Sequence, residues 1–182
     1  SLNKYCKLIG IVSMKGLTAT TMAKEFKIPN VFEDPKQLID SNQIEAVFIF
    51  SSHESHAELV QYAIENDKPV YVEKPLSIDI EGLNQVEESI FNAEDPKLYV
   101  GFNRRKAEAT SLAMQHIGTS SGPLFITYRF NVPSLPKDHW TKIQELGGGR
   151  IVGEAIHAID LATYITGSLP QSISATSVVN KE

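Results

Sequence analysis

Short apolar runs alternate with amphipathic stretches along the first hundred residues. Leu8 to Val12 (LIGIV) is a compact apolar run ending at Ser13, and Ala19, Met22, Ala23 and Phe26 then recur at helical spacing until Pro29. Asp34-Pro35 predicts a short helical turn, with Pro in the tolerated first turn. Ala46 to Phe50 (AVFIF) is apolar at every position, which predicts a strand buried on both faces of a parallel sheet. Leu59, Val60, Ala63 and Ile64 form the next helical stripe, followed by a second buried strand, Pro69 to Val72 (PVYV). Ile80, Leu83, Val86 and Ile90 predict another helix, and Leu98 to Val100 another strand. Strands spaced by helices in this way predict right-handed crossovers and a doubly wound α/β layer.

The texture changes after Gly101. Ala109, Leu112, Ala113, His116 and Ile117 predict one more helix, ended by Gly122-Pro123. Leu124 to Val132 (LFITYRFNV) alternates as an antiparallel strand with one open face does. A loop rich in Pro and charge leads to the triple glycine Gly147–Gly149, and a helix is predicted from about Ile151 to Thr166. That helix is apolar nearly all round (Val152, Ala155, Ile156, Ala158, Ile159, Ala162, Ile165), so burial on more than one side is expected. Ser172 to Val179 reads as a final strand. The expected division is a first domain over residues 1–102 and a second over 103–182.

With 182 residues, 42% of them hydrophobic and 21% charged, the chain has material for a real core, and disorder is excluded. Its 22 acidic residues outnumber 17 basic ones, and a net charge of −5 speaks against nucleic acid as a partner. Cys6 is the single cysteine and forms no internal disulfide, which fits a reducing compartment and a cytoplasmic location. No apolar run approaches the ~20 residues that span a bilayer, so no membrane partner is expected.

Several side chains can carry chemistry. Lys74 follows the strand PVYV, at the carboxyl edge where open α/β sheets place their ligands, and there a lysine can polarise a carbonyl or relay an alcohol proton; the plain alternative is a solvated lysine before a helix. Pro75 fixes the backbone beside it. His157 stands between Glu154 and Asp160, three residues to either side, and a neighbouring carboxylate fixes a histidine's tautomer and raises its basicity. His53 and His56 in SSHESHAEL have a spacing open to metal, but no further Cys or His lies nearby, so no metal is expected. Ser55 with Glu58 three residues on has the pattern of a capping box, and His56 then reads equally well as a first-turn residue. Arg104 and Arg105 can anchor a phosphate or carboxylate, or form interdomain salt bridges. Trp140, the only tryptophan, stands among polar residues and offers a stacking face for a sugar ring, with core packing as the alternative.

Three strings occur in order: VEKPLS at 72–77, GFNRR at 101–105, and HW at 139–140 followed by GGGRIVGEAIHAIDL at 147–161. Together they resemble the glucose-fructose oxidoreductase / inositol dehydrogenase / rhizopine catabolism family of NAD(P)-dependent oxidoreductases, and in particular the subgroup fused behind a zinc-alcohol-dehydrogenase-like half. The resemblance covers almost the whole chain. It implies a Rossmann-like parallel sheet followed by part of an α+β substrate domain with a mixed open sheet, and hydride transfer to or from a sugar-like or cyclitol substrate. It also implies catalytic roles for Lys74 and His157, with Glu154 beside the latter. The loop Ser51, Ser52, His53, with His56, is implied to pass under the cofactor. Glu73 is implied to bind the nicotinamide ribose, with Pro75 two residues on also at the cofactor, and Asn103, Arg104, Trp140 and Asp160 to line the substrate.

Ser13 ends the first strand where NAD-preferring domains carry an acid, and Lys15 follows, which tilts the cofactor from NAD towards NADP, although Lys15 reads equally as an ordinary loop residue. The chain departs from the family in one place: where an Asp usually stands one turn before the histidine, it has Gly153. That opens a second function class, a non-catalytic binding or assembly module.

No G-x-G-x-x-G occurs. The first Rossmann strand and its Gly-rich loop, roughly 25 residues, are therefore expected to be absent and the chain to be a fragment, with the pyrophosphate site lost. The missing strand is central in that fold. LIGIV would then pair with AVFIF directly, borrow a strand from another chain, or leave backbone groups unpaired, and a homo-oligomer is expected on that ground.

Overall fold

The computed structural model describes residues 5–13, 16–118, 122–136 and 138–177. The chain divides into two compact units, Ser1–Gly101 with Ser134–Gly153, and Phe102–Pro133 with Glu154–Glu182. The first change of unit falls at Gly101, but the expected second domain is not continuous, because residues 134–153 pack with the first unit.

In the first unit the alternation of apolar runs and stripes becomes β1 (Gly10–Val12), α1 (Gly16–Phe26), β2 (Asn30–Phe32), α2 (Pro35–Asp40), β3 (Val47–Ile49), α3 (His56–Glu65), β4 (Val70–Val72), α4 (Ile80–Asn92) and β5 (Leu98–Val100). Asp34 caps α2 by accepting from the Lys36 N–H, with Pro35 in the first turn, and Asp79 caps α4 by accepting from the Gly82 N–H. All strand pairs are parallel. β1 pairs with β2, and β3, β4 and β5 form a separate ladder in that order. Direct pairing of β1 with β3 does not occur among the described residues. β2, three residues between Pro29 and Asp34, is an addition to the predicted set.

Register explains the core. Val47 faces Val70 and Ile49 faces Val72, while Val70 and Val72 face Leu98 and Val100. One face of this sheet therefore presents aliphatic side chains to Ala57, Val60, Ala63 and Ile64 of α3 and Val86 of α4. Val60 and Val72 are fully buried, and each contributes about 1.5–3 kcal/mol by leaving water. Leu38, Ile39 and Ile44 join the same cluster, and Ile9, Val12 and Phe32 pack against it, so one core serves both sheets.

The opposite face corrects the expectation of strands buried on both sides. Phe48 and Phe50 are 57% and 65% exposed, and with Tyr71 and Tyr99 they form a stripe of ring contacts 5.6–6.3 Å apart. Period-two alternation sends these residues away from α3 and α4, and no described helix covers them.

Before the chain returns to the second unit, Trp140–Lys142 forms a short 3-10 turn and α6 spans Gln144–Gly147. In the second unit, Asn103–Lys106 is a 3-10 turn and α5 spans Glu108–Ile117. The predicted helix from Ile151 starts as a π-helix, Ile151–Ala155, and continues as α7, Ile156–Thr166. It is less buried than its composition suggests: Ile151 and Ile159 are 73% and 44% exposed. The predicted strand at 124–132 is also overturned. It forms no ladder, and Phe125 is 95% exposed. An alternating segment becomes a strand only when a partner supplies its hydrogen bonds, and none of the described residues does. Residues 172–177 are not a strand either, and 178–179 lie outside the described residues.

Candidate active site

The carboxyl ends of β3 and β4 gather the candidate site residues of the first unit. After β3 the chain makes a 3-10 turn, His53–Ser55, that runs straight into α3. Ser55 already has helical angles (φ −91, ψ −8) and gives no side-chain cap. The capping box is therefore not formed: the Ser55 hydroxyl donates to the Ser52 carbonyl and lies within hydrogen-bond distance of the Ser51 hydroxyl, and Glu58 pairs instead with Lys36 at 2.7 Å. His53 is 9% exposed, its Nδ1 donates to the Gly147 carbonyl at 3.0 Å, and its ring meets Trp140 edge-on at 4.8 Å. Burial pushes the His53 pKa below the usual 6.5. The Gly147 hydrogen bond opposes this, and the nearby His56 and Lys74 reinforce it.

His56, at the start of α3, is fully enclosed. Its Nδ1 lies 2.7 Å from the Pro75 carbonyl and its Nε2 3.0 Å from the Ser51 carbonyl. Its ring centroid is 5.7 Å from that of His53. After β4, the Lys74 ammonium donates to the Gly153 carbonyl at 2.6 Å, and Pro75 follows through a cis peptide bond. The Glu73 carboxylate accepts from the Tyr71 hydroxyl at 3.0 Å and from the Lys74 N–H at 3.3 Å. Burial and that carboxylate hold the Tyr71 phenol above its ordinary pKa.

The second unit holds a different group. Asp160, on α7, is buried and receives the Arg105 guanidinium: Nε reaches both carboxylate oxygens, at 3.0 and 2.9 Å, and a terminal nitrogen reaches Oδ1 as well. Arg105 also lies over the rings of Phe102 and Tyr164, and Arg104 over those of Tyr128 and Phe130. The Arg105 ion pair is thus internal to one unit, which corrects the interdomain alternative for that arginine. His157 is buried on the same helix as Asp160, and Glu154 is partly buried.

Of the predicted residues, the first unit brings His53, His56, Lys74, Pro75 and Trp140 into one neighbourhood, with Ser51 and Ser52 on the same loop. Glu73 is joined to Lys74 through the backbone. Ser13 follows β1 and is half-buried, Asn103 is exposed, and Lys15 lies outside the described residues. Missing from the sequence reading were the carbonyls of Gly147 and Gly153, which hold His53 and Lys74. A backbone acceptor carries no side-chain signature; the only hint was the run of glycines.

The parallel α/β fold has known relatives. Residues 1–102 match the Gfo/Idh/MocA oxidoreductase family, described as having an NAD-binding Rossmann fold. The chain belongs to this family. Among curated relatives, the myo-inositol 2-dehydrogenase of Thermotoga maritima is 28% identical over 160 residues, which cover 87% of this chain and 47% of that protein. The NAD(+)-dependent scyllo-inositol 2-dehydrogenase of Bacillus subtilis is 28% identical over 158 residues, 86% of this chain and 45% of that protein. Among solved structures, a probable dehydrogenase from Thermotoga maritima superposes with a TM-score of 0.76 at 25% identity, covering 91% of this chain and 50% of that one. A levoglucosan dehydrogenase solved with NADH and levoglucosan shares the fold, with a TM-score of 0.71 at 24% identity and coverage of 87% and 45%. The chain spans about half the length of the relatives it matches.

Proposed function

We propose that this chain serves an NAD(P)-dependent oxidoreductase that moves a hydride between nicotinamide and a hydroxyl-bearing carbon of a sugar-like or cyclitol substrate. The observation that carries this reading is the position of Lys74: it stands at the carboxyl end of a parallel strand, its ammonium anchored on the Gly153 carbonyl, in a chain of a family with an NAD-binding fold. The nearby donor set fits the nicotinamide-ribose end of a dinucleotide, because Glu73 offers a carboxylate, and Ser51 and Ser52 hydroxyls, at the same sheet edge. When bound, the nicotinamide supplies the acceptor or donor of the hydride. The chain's part is to handle the proton. With Lys74 as its neutral amine, which still donates an N–H to the Gly153 carbonyl, the substrate hydroxyl gives its proton to Nζ as its carbon loses hydride, and His157 is the second carrier. Glu154 and Asp160 flank that histidine in sequence, and Arg104, Asn103 and Trp140 are the residues offered to the substrate.

A second reading, a binding or assembly module without turnover, is favoured by Gly153, where the family's usual acid is replaced by a residue that offers only its backbone. One experiment decides between them. NAD(P)H formation is followed with myo-inositol, scyllo-inositol and related polyols, and Lys74→Ala is expected to lower the rate by ~10²–10⁴-fold. Undiminished turnover in that variant removes Lys74 from the proton path, and no turnover of any polyol by the wild type favours the module. We also propose a homo-oligomer, supported by strand edges without ladder partners among the described residues, and a reducing, cytoplasmic setting, supported by the single cysteine.

A further inference from the structure

His56 has a ring with no exposed surface, so it touches neither cofactor nor substrate directly. Yet both of its nitrogens face carbonyl oxygens: Pro75 at 2.7 Å and Ser51 at 3.0 Å. Carbonyls only accept, and a neutral imidazole donates from one nitrogen, so the ring hydrogen-bonds one of the two carbonyls, the tautomer deciding which, while its other edge rests against the second. The two carbonyls belong to different loops. Ser51 lies just beyond β3 and Pro75 just beyond β4, the two strand ends that bracket the candidate site.

We infer that His56 is a positioning residue, a strut between these loops that fixes the backbone from which Lys74 projects. The inference rests on the reading of Lys74 as a working group of the site. A long side chain is aimed only as well as its backbone is held, and Pro75, the neighbour of Lys74, is pinned by this ring. The far end of Lys74 is pinned independently, by the Gly153 carbonyl at 2.6 Å. Moving the Pro75 carbonyl therefore strains or releases that bond. His53, packed against the same ring, has its own carbonyl partner at Gly147, so the strut supports one side of a cluster whose other side is the glycine segment.

The test reads Lys74 itself and needs neither cofactor nor substrate. Lysines of the full chain are dimethylated with a 13C label, which keeps the charge and one N–H, and the Lys74 signal is assigned by its loss in Lys74→Arg. In His56→Phe, which keeps a ring but no donor, the Lys74 signal is expected to move to the position of an exposed lysine such as Lys97. In His56→Gln, whose amide serves one carbonyl, it is expected to move part of the way. The other lysines are expected to stay in place, and Trp140 fluorescence and circular dichroism report whether each variant is folded. An unmoved Lys74 signal in a folded variant overturns the inference, and if His56→Phe does not fold, His56→Gln decides by the same criterion. If the signal moves while Lys74→Ala leaves turnover intact, the proton role of Lys74 falls and the strut stands.

Discussion

The imidazole of His53 donates its Nδ1 proton to the Gly147 carbonyl and is almost wholly enclosed. Desolvation and the neighbouring His56 and Lys74 all disfavour a second proton, and so its pKa lies below the ordinary 6.5. A depressed pKa means that the unfolded chain binds protons that the folded chain resists. The stability linked to His53 is therefore complete above pH 6.5 and is lost as the pH falls through the lowered value. The thermal midpoint of the wild type is expected to drop on acidification below 6.5, and that of His53→Asn to drop less over the same interval. Parallel curves for the two proteins refute a buried, neutral His53. At this scale the sequence was informative about which side chains are candidates, because Lys74, His53 and His157 have recognisable chemistry in recognisable strings. It was uninformative about what holds them, because the partners are backbone atoms.

The triple glycine shows how an element's geometry sets residue identity. A Cβ on Gly147 would lie 2.5 Å from Thr141 Cα and 2.9 Å from the Trp140 carbonyl oxygen, so α6 packs against the Trp140–Lys142 turn with no room for a side chain. Gly148 and Gly149 have φ of +70 and +76, where other residues are strained. Gly147→Ala must push the turn away, and its backbone neighbours cannot yield as a side-chain tip would. It is expected to cost about 1–3 kcal/mol and to shift the emission of Trp140, the only tryptophan, as its edge contact with His53 opens. Unchanged emission and stability would show that the turn and α6 do not meet this closely. Gly153 is the contrast: a Cβ there meets only His53 Cε1 at 3.7 Å and the Gly147 carbonyl at 3.8 Å, so its first side-chain atom fits. Helical spacing made α3 and α4 legible from the sequence. β2 escaped notice because three residues give no periodicity, and LFITYRFNV misled because alternation records which side is apolar without supplying a partner strand.

At the scale of the whole molecule, one core serves two parallel ladders that are not joined among the described residues. β1 is bonded to β2 along one edge, and β3 to β4 along one edge, so each leaves a row of backbone donors and acceptors without a ladder partner among the described residues. Such edges pair with other chains when nothing blocks them. Here the residues beside them add to the tendency: Phe48 and Phe50 project outward from β3 and its carboxyl end, and with Tyr71 and Tyr99 they leave a continuous aromatic face on the sheet. Contiguous apolar surface of this kind is uncommon on a protein that stays alone in water. The chain is therefore expected to self-associate at micromolar concentration, giving a light-scattering mass at least twice that of its 20.1 kDa. Phe48→Lys, which charges the face without touching the aliphatic core, is expected to lower that mass while leaving helical content unchanged. A monomeric mass for the wild type would mean that the free edges of β1 and β3 are tolerated as they stand, and it would remove the case for a homo-oligomer.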